Sequence, residues 1–101
     1  MPEHSRPTPR LTPHAISAID AAHVWHPYST IGAPGSLAPL VALRAKGAWL
    51  TLARDGREVP VLDAMASWWT AVHGHGHPVL DAALTDQLAT MNHVMFGGLT
   101  R

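Results

Sequence analysis

Residues 40–65 read LVALRAKGAWLTLARDGREVPVLDAM, three apolar runs separated by two glycine-containing turns. The first turn is Lys46-Gly47 and the second is Asp55-Gly56. Asp-Gly between alternating apolar residues is a strong signal for a two-residue β-hairpin, because both positions accept a positive φ. The stretch therefore predicts a three-stranded antiparallel meander.

The same residues carry signals for the faces and edges of the sheet. In the middle strand, Trp49, Thr51 and Ala53 share one face and the two leucines share the other, because successive strand residues point to opposite sides. Trp49 is well suited to filling a core. Pro60 has no amide hydrogen, so the third strand is predicted to lie at an edge or to be bulged there.

One helix is predicted before the sheet and one after it. Thr12 followed by Pro13 is typical of a helix start, because the hydroxyl caps free amides and proline suits the first helical position. This short helix covers PHAISAIDAAHV and ends before Pro27. The second opens at His77-Pro78, follows helical spacing through PVLDAALTDQLATMNHV, and is expected to end at FGG, residues 96–98.

Two irregular segments are predicted between these elements. The first is WHPYSTIGAPG, residues 25–35, which presents Tyr28 on a loop that Pro27 stiffens. The second is SWWTAVHGHGH, residues 67–77, where two glycines favour a loop over a regular element. Overall, the pattern is an α/β arrangement of short helix, meander, loop and helix.

Composition limits the classes of partner. Of the 101 residues, 47% are hydrophobic and 14% charged, against about 25% charged in an ordinary soluble domain. A surface with so few charged residues is expected to pack against further protein. Seven basic residues balance seven acidic ones without a basic run, which excludes the electrostatic footprint of nucleic-acid or anionic-membrane binding.

The chain is predicted to be cytoplasmic. It has no cysteine, which is compatible with a reducing compartment. Residues 1–11 are rich in proline rather than apolar, and no apolar stretch approaches the ~20 residues that span a bilayer. We expect a disordered leader over residues 1–11. Because residues 91–101 remain apolar and glycine-containing, residues 12–101 are expected to be an incomplete unit.

Several polar residues suggest chemistry without specifying it. His73, His75 and His77 alternate along the chain and suit a zinc or copper site, but the intervening glycines favour polar loop residues, and we predict no metal site. Asp63 and Ser67 could join a histidine in a hydrolytic triad, yet the glycine-flanked nucleophile turn is absent. A small histidine-based metal-binding protein remains an alternative.

The aromatic residues are more informative. Tyr28, Trp68 and Trp69 all lie on predicted irregular segments beside glycine or proline, where a scaffold positions side chains for binding. Adjacent tryptophans point in different directions, so Trp68 and Trp69 cannot both enter one core. Flat rings with one polar edge suit the wall of a small-molecule pocket.

Three motifs together resemble one known family. WHPYS (25–29), LDAMASWWTAVHGHGHP (62–78) and MNHVMFGGLT (91–100) occur in an order and at separations similar to those of the 7,8-diaminopelargonic acid aminotransferases, within the class-III pyridoxal-phosphate aminotransferases. The resemblance covers residues 12–101. Ala66 departs from the serine usual at that position.

The resemblance implies a fold, a reaction and a set of site residues. The fold is the fold-type-I architecture, of which residues 12–101 would be the amino-terminal part, with a portion of the small domain and the start of the large one. The reaction transfers an amino group from S-adenosylmethionine to 8-amino-7-oxononanoate, giving 7,8-diaminononanoate in biotin biosynthesis. The implied substrate-binding residues are Pro27, Tyr28, Trp68, Trp69, Met95 and Gly97.

Tyr28 is expected to stack on the adenine of the amino donor and Trp68 to contact substrate, with Trp69 beside it. Met95 and Gly97 are expected to reach the active site of the other subunit of a homodimer. The groups that hold pyridoxal 5′-phosphate in the family would lie beyond residue 101, so this chain alone is expected to be inactive. It is also expected to be poorly folded or aggregation-prone, because three short strands and two helices leave apolar faces that the missing large domain would cover. A class-III aminotransferase with a different amino donor is a further alternative.

Overall fold

The computed structural model of the chain describes residues 10–100. Most of the predicted leader, namely residues 1–9, lies outside the described residues. The elements in chain order are α1 (Pro13–His23), β1 (Val41–Lys46), β2 (Trp49–Arg54), β3 (Arg57–Leu62), α2 (Ala66–Trp69) and α3 (Pro78–Thr90).

The predicted meander is confirmed, but its first turn is Gly47-Ala48 rather than Lys46-Gly47, since Lys46 ends β1 and pairs with Trp49. The three strands are antiparallel in the order β1-β2-β3, and Arg54 pairs with Arg57 across the second hairpin. Its two turn residues, Asp55 and Gly56, have φ values of 50° and 71°. Because a primed turn requires positive φ at both positions, this local sequence is sufficient to set the hairpin.

The edge prediction for Pro60 is also confirmed. Pro60 pairs with Thr51 in β3, which is an edge strand of this sheet, so its missing amide hydrogen leaves no ladder bond unmade. The irregularity in register lies instead in β1, between Ala42 and Arg44.

Helix α1 begins as the sequence predicts. The Thr12 hydroxyl accepts a hydrogen bond from the Ala15 amide at 3.2 Å, and Pro13 occupies the first turn. The helix ends at His23, and Val24 is already extended with φ −117°. Its contacts with β1 place it beside the sheet.

Helix α3 begins at Pro78, as predicted, but the prediction of its end was wrong. It stops at Thr90, six residues before FGG, and Met91 is extended with φ −165°. The side-chain amide of Gln87 donates to the Met91 carbonyl at 2.7 Å and so satisfies a polar group past the last turn. Thr90 and Asn92 are weak helix formers, so the apolar spacing did not carry the helix through them.

No side chain in residues 10–100 is fully buried. The prediction that Trp49 fills a core was therefore wrong: it is 55% exposed at the start of β2, because no described element covers that face. Every residue of α3 is exposed. Within the same residues, no helix is long and apolar enough to cross a membrane.

Candidate functional site

Two aromatic rings from distant parts of the sequence meet at the surface. The centroids of Tyr28 and Trp68 lie 5.7 Å apart, with their planes at 76°. Tyr28 is 98% exposed and Trp68 is 56% exposed. Because perpendicular rings form two walls of a corner rather than a closed stack, each ring keeps a face available for another flat or apolar group.

The loop that carries Tyr28 is held by bonds to residues near it in sequence. The Trp25 indole N–H donates to the Ser29 carbonyl at 3.0 Å, and the Ser29 hydroxyl donates to the His26 carbonyl. His26 Nε2 lies 2.9 Å from both carboxylate oxygens of Asp20, which ties the loop to α1. Tyr28 has a φ of 56°, and a proline before a positive φ is typical of a type II turn.

The turn that carries Trp68 has the longest run of positive φ values among residues 10–100. The predicted loop over residues 67–77 is confirmed for residues 70–77, but residues 67–69 belong to the single turn α2. Its four residues all have positive φ: Ala66 at 46°, Ser67 at 48°, Trp68 at 59° and Trp69 at 68°. Ser67 and Trp68 have ψ values of 55° and 48°, so they lie in the left-handed helical region. For residues with a Cβ this conformation costs about 1–2 kcal/mol each.

One carboxylate compensates for part of that strain. Asp63 Oδ1 accepts the Ser67 amide at 3.0 Å, and Asp63 Oδ2 accepts the Ser67 hydroxyl at 2.7 Å. His75 Nε2 lies 2.7 Å from the same Oδ2. We call Asp63, Ser67 and His75 the Asp63 cluster. Its carboxylate is 9% exposed, and hydrogen bonds to a carboxylate are stronger than those between neutral groups.

The Asp63 cluster is attached to the sheet on two sides. The Asp63 amide donates to the Ala48 carbonyl at 2.8 Å, just before β2. His75 exchanges two backbone hydrogen bonds with Gly47 in the first hairpin turn, at 2.8 and 2.9 Å. Gly74 permits this approach, because a Cβ on it would lie 3.2 Å from the Gly47 Cα. Asp63 directly follows the end of β3. Because these bonds hold Asp63 and His75 against the first hairpin, they fix the point at which the left-handed turn begins.

The connectivity of the Asp63 cluster excludes a hydrolytic triad. In a triad the histidine lies between the acid and the hydroxyl and removes the hydroxyl proton. Here the carboxylate lies between Ser67 and His75 and accepts from both. The bond to His75, and then those from Ser67, lower the pKa of the Asp63 carboxyl. A carboxylate stabilised in this way is a weak base. The Asp63 cluster is therefore suited to holding the conformation of the turn and not to removing a proton.

The three alternating histidines do not converge. His75 is bound to Asp63, whereas the rings of His73 and His77 meet edge to face with centroids 6.1 Å apart. In the part of the chain that the structure describes, no group of three histidine, aspartate or glutamate side chains is arranged to hold a metal ion.

The remaining predicted site residues fall into two places. Pro27 lies in the Tyr28 turn, and Trp69 ends the left-handed turn with 81% exposure. Met95 is exposed, and its sulfur would lie 3.6 Å from a Cβ placed on Gly97. No hydrogen bond among residues 10–100 joins Met95 or Gly97 to the ring pair.

The role of Asp63 and His75 was not predicted from the sequence, in which they were candidates only for a triad or a metal site. The spacing of four between Asp63 and Ser67 was a usable signal, since a carboxylate can accept an amide four residues later. The twelve residues from Asp63 to His75 gave no such signal, because that contact depends on the pairing of Gly47 with His75.

Comparison with known proteins places the chain among relatives of one kind. A family profile described as aminotransferase class-III matches residues 31–101. The adenosylmethionine-8-amino-7-oxononanoate aminotransferase of Mycobacterium leprae is 71% identical over 94 residues, which is 92% of this chain and 22% of that protein. A protein of the same name from Corynebacterium glutamicum is 51% identical, over 85% of this chain and 19% of that protein. Another from Saccharomyces cerevisiae is 42% identical, over 81% of this chain and 17% of that protein. The chain thus spans about a fifth of the length of these relatives.

Proposed function

The chain belongs to the class-III aminotransferase family, and from this premise we propose that it is the amino-terminal segment of an enzyme that transfers the amino group of S-adenosylmethionine to 8-amino-7-oxononanoate. The product would be 7,8-diaminononanoate, in biotin biosynthesis. The name shared by the relatives supports the choice of substrates. The complete enzyme would have the fold-type-I architecture, with residues 12–101 supplying its first part.

The contribution of this segment is a substrate-binding wall. The observation that carries the proposal is the exposed, perpendicular pair of Tyr28 and Trp68. In the proposed complex the adenine of the donor stacks on the face of Tyr28, while Trp68 bounds the other side of the substrate. Trp69 and Pro27 flank these two rings. Rings fixed in place before binding lower the ordering cost of association.

The family implies pyridoxal phosphate as cofactor, but the described residues do not fit that group. A protein holds this cofactor through a lysine and an acidic partner for the ring nitrogen. Lys46 is the single lysine in the sequence, and it is an exposed residue at the hairpin end of β1. We therefore derive no step through the cofactor, and we assign its binding to the rest of the proposed enzyme.

The function is tested in the full-length enzyme that carries this segment. Tyr28→Ala is expected to raise the KM for S-adenosylmethionine about tenfold or more, because it removes a stacking face. Tyr28→Phe keeps the ring and is the matched control, with a KM close to that of the wild type. If the wild-type enzyme uses another amino donor and not S-adenosylmethionine, the chain belongs to a different class-III aminotransferase; absence of any aminotransferase activity overturns the proposal.

We further propose that Met95 and Gly97 act in the active site of the partner subunit of a homodimer. The exposed thioether of Met95 beside Gly97 supports this role. Subunits carrying Trp68→Ala are to be mixed and refolded with subunits carrying Met95→Glu. If Met95 acts in the other subunit, each mixed dimer has one intact site, and about a quarter of all sites recover activity. No recovery would place Met95 in its own subunit's site.

A further inference from the structure

We propose that Asp63 is a positioning residue for substrate binding, because it holds the left-handed turn that presents Trp68. This inference rests on the function proposed above, in which Trp68 bounds the substrate. Asp63 itself is not expected to touch substrate: its carboxylate is 9% exposed and is occupied by Ser67 and His75.

The turn needs support from outside itself. Four successive residues with a Cβ adopt positive φ, which isolated residues do only at a cost. Five bonds act close to the turn. The Ala66 amide donates to the Asp63 carbonyl, the Trp69 amide to the Met65 carbonyl, the Thr70 and Ala71 amides to the Ala66 carbonyl, and the Thr70 hydroxyl to the Ser67 carbonyl. All five join residues within five positions, so they stabilise the shape of the turn more than its place relative to the sheet.

Asp63 supplies the missing link to the sheet. Its amide donates to Ala48, its side chain accepts two bonds from Ser67, and Ser67 directly precedes Trp68. His75 holds the carboxylate from the other side, and its own backbone is bonded to Gly47. A continuous series of contacts therefore runs from the first hairpin through Asp63 and Ser67 to Trp68, and from there to Tyr28.

Replacing the carboxylate by an amide breaks this series at one point. In Asp63→Asn, one of the two carboxylate oxygens becomes an NH₂ group. In the place of Oδ2 it cannot accept from the Ser67 hydroxyl or His75 Nε2, and in the place of Oδ1 it cannot accept from the Ser67 amide, so either orientation loses an accepting contact with Ser67. The turn is then free to relax toward ordinary φ values, and the Trp68 ring leaves its place beside Tyr28. Substrate binding weakens, whereas turnover at saturating substrate changes little because the reacting atoms are held elsewhere.

The first test compares kinetic constants in the full-length enzyme. Asp63→Asn is expected to raise KM about tenfold with kcat within about threefold of the wild type. Ser67→Ala removes one hydroxyl bond without leaving a charge unpaired, so it serves if Asp63→Asn fails to fold, and its KM is expected to rise about threefold. Asp55→Asn is the matched control: it makes the same chemical change at a 90% exposed hairpin residue and should leave both constants unchanged. Unchanged KM in a folded Asp63→Asn or Ser67→Ala enzyme overturns the proposal.

The second test is a double-mutant cycle that separates positioning from general stability. If Asp63 acts through Trp68, then Asp63→Asn in a Trp68→Ala background raises KM no further. If the effects of the two substitutions on KM instead multiply, Asp63 acts independently of the Trp68 ring, and the proposal is overturned.

A spectroscopic readout keeps this inference separate from the proposed function. Asp63→Asn is expected to change the near-ultraviolet circular dichroism of the enzyme, and the change should be much smaller in the Trp68→Ala background, where only the exposed Trp69 ring of the turn remains. This result holds even if the enzyme uses neither proposed substrate, in which case the proposed function fails and the link from Asp63 to Trp68 stands. A spectrum that Asp63→Asn leaves unchanged contradicts that link directly.

Discussion

The loop that carries Tyr28 and the turn that carries Trp68 hold neighbouring rings by different means. The Tyr28 loop contains one non-glycine residue with positive φ, and its bonds join residues three to six positions apart. The Trp68 turn contains four non-glycine residues with positive φ, and it depends on contacts that reach the first hairpin. The position of Tyr28 therefore follows from the end of α1, whereas that of Trp68 follows from the sheet.

The largest effect is expected where the sheet supports the Trp68 turn. Gly74→Ala introduces a Cβ 3.2 Å from the Gly47 Cα at a φ of 80°. We expect the full-length enzyme to lose about 3 kcal/mol of unfolding free energy, from strain and from the broken bridge between Gly47 and His75. Denaturant titration measures the loss. Gly56 has a similar φ but open space around it. Gly56→Ala should therefore lower the unfolding free energy by only about 1 kcal/mol and leave the substrate KM unchanged. Equal losses of unfolding free energy in the two variants would argue against the bridge.

The second prediction reverses the usual effect of glycine. Ala66→Gly relieves a φ of 46° and is expected to stabilise the enzyme by about 1 kcal/mol, because glycine adopts the left-handed region without a Cβ penalty. Ala45→Gly makes the same change within β1 and should destabilise by about 0.5–1 kcal/mol. Unfolding free energies of the two variants are to be compared, and destabilisation of similar size in both would refute the left-handed turn.

The third prediction concerns the Tyr28 loop. Asp20→Asn weakens the contact with His26 that ties the loop to α1, and we expect the KM for the amino donor to rise about threefold. The effect should be smaller than that of Asp63→Asn, because the indole of Trp25 still holds the loop through Ser29. Steady-state kinetics show which of the two variants has the larger increase in KM. A larger increase for Asp20→Asn would contradict the view that the Trp68 turn depends more on outside support than the Tyr28 loop does.

The smallest effect is expected from mild acid. The pKa of the Asp63 carboxyl is lowered, first by the bond to His75 and then by those from Ser67. A carboxyl with a lowered pKa contributes stability above its unfolded value, about 3.9, and loses it as pH falls through the lower folded value. The near-ultraviolet signal of Trp68 should thus stay constant from about pH 7 to 5 and change only below about 4. A change centred near about pH 6 would mean that a group other than Asp63 controls the turn.

Much of the fold could be predicted because its signals are local. The Asp55-Gly56 turn, the Thr12 cap of α1 and the edge position of Pro60 each depend on the chemistry of one or two residues. The end of α3 was predicted wrongly, since the apolar period continues past Thr90 while the backbone does not. The burial of Trp49 was also predicted wrongly, because burial depends on what covers a face.

The sequence by itself determined the meander, the starts of α1 and α3, and the motifs that carry the family resemblance, because these depend on dihedral preferences and residue order along a short stretch. Only the tertiary structure decided that Tyr28 and Trp68 form one corner and that Asp63 joins Ser67 to His75. The reason is that these contacts join residues forty and twelve positions apart, and the bridge between Gly47 and His75 is what brings His75 to Asp63. Four successive positive-φ residues without a glycine among them have no favourable local sequence, so their conformation follows from the contacts that surround them.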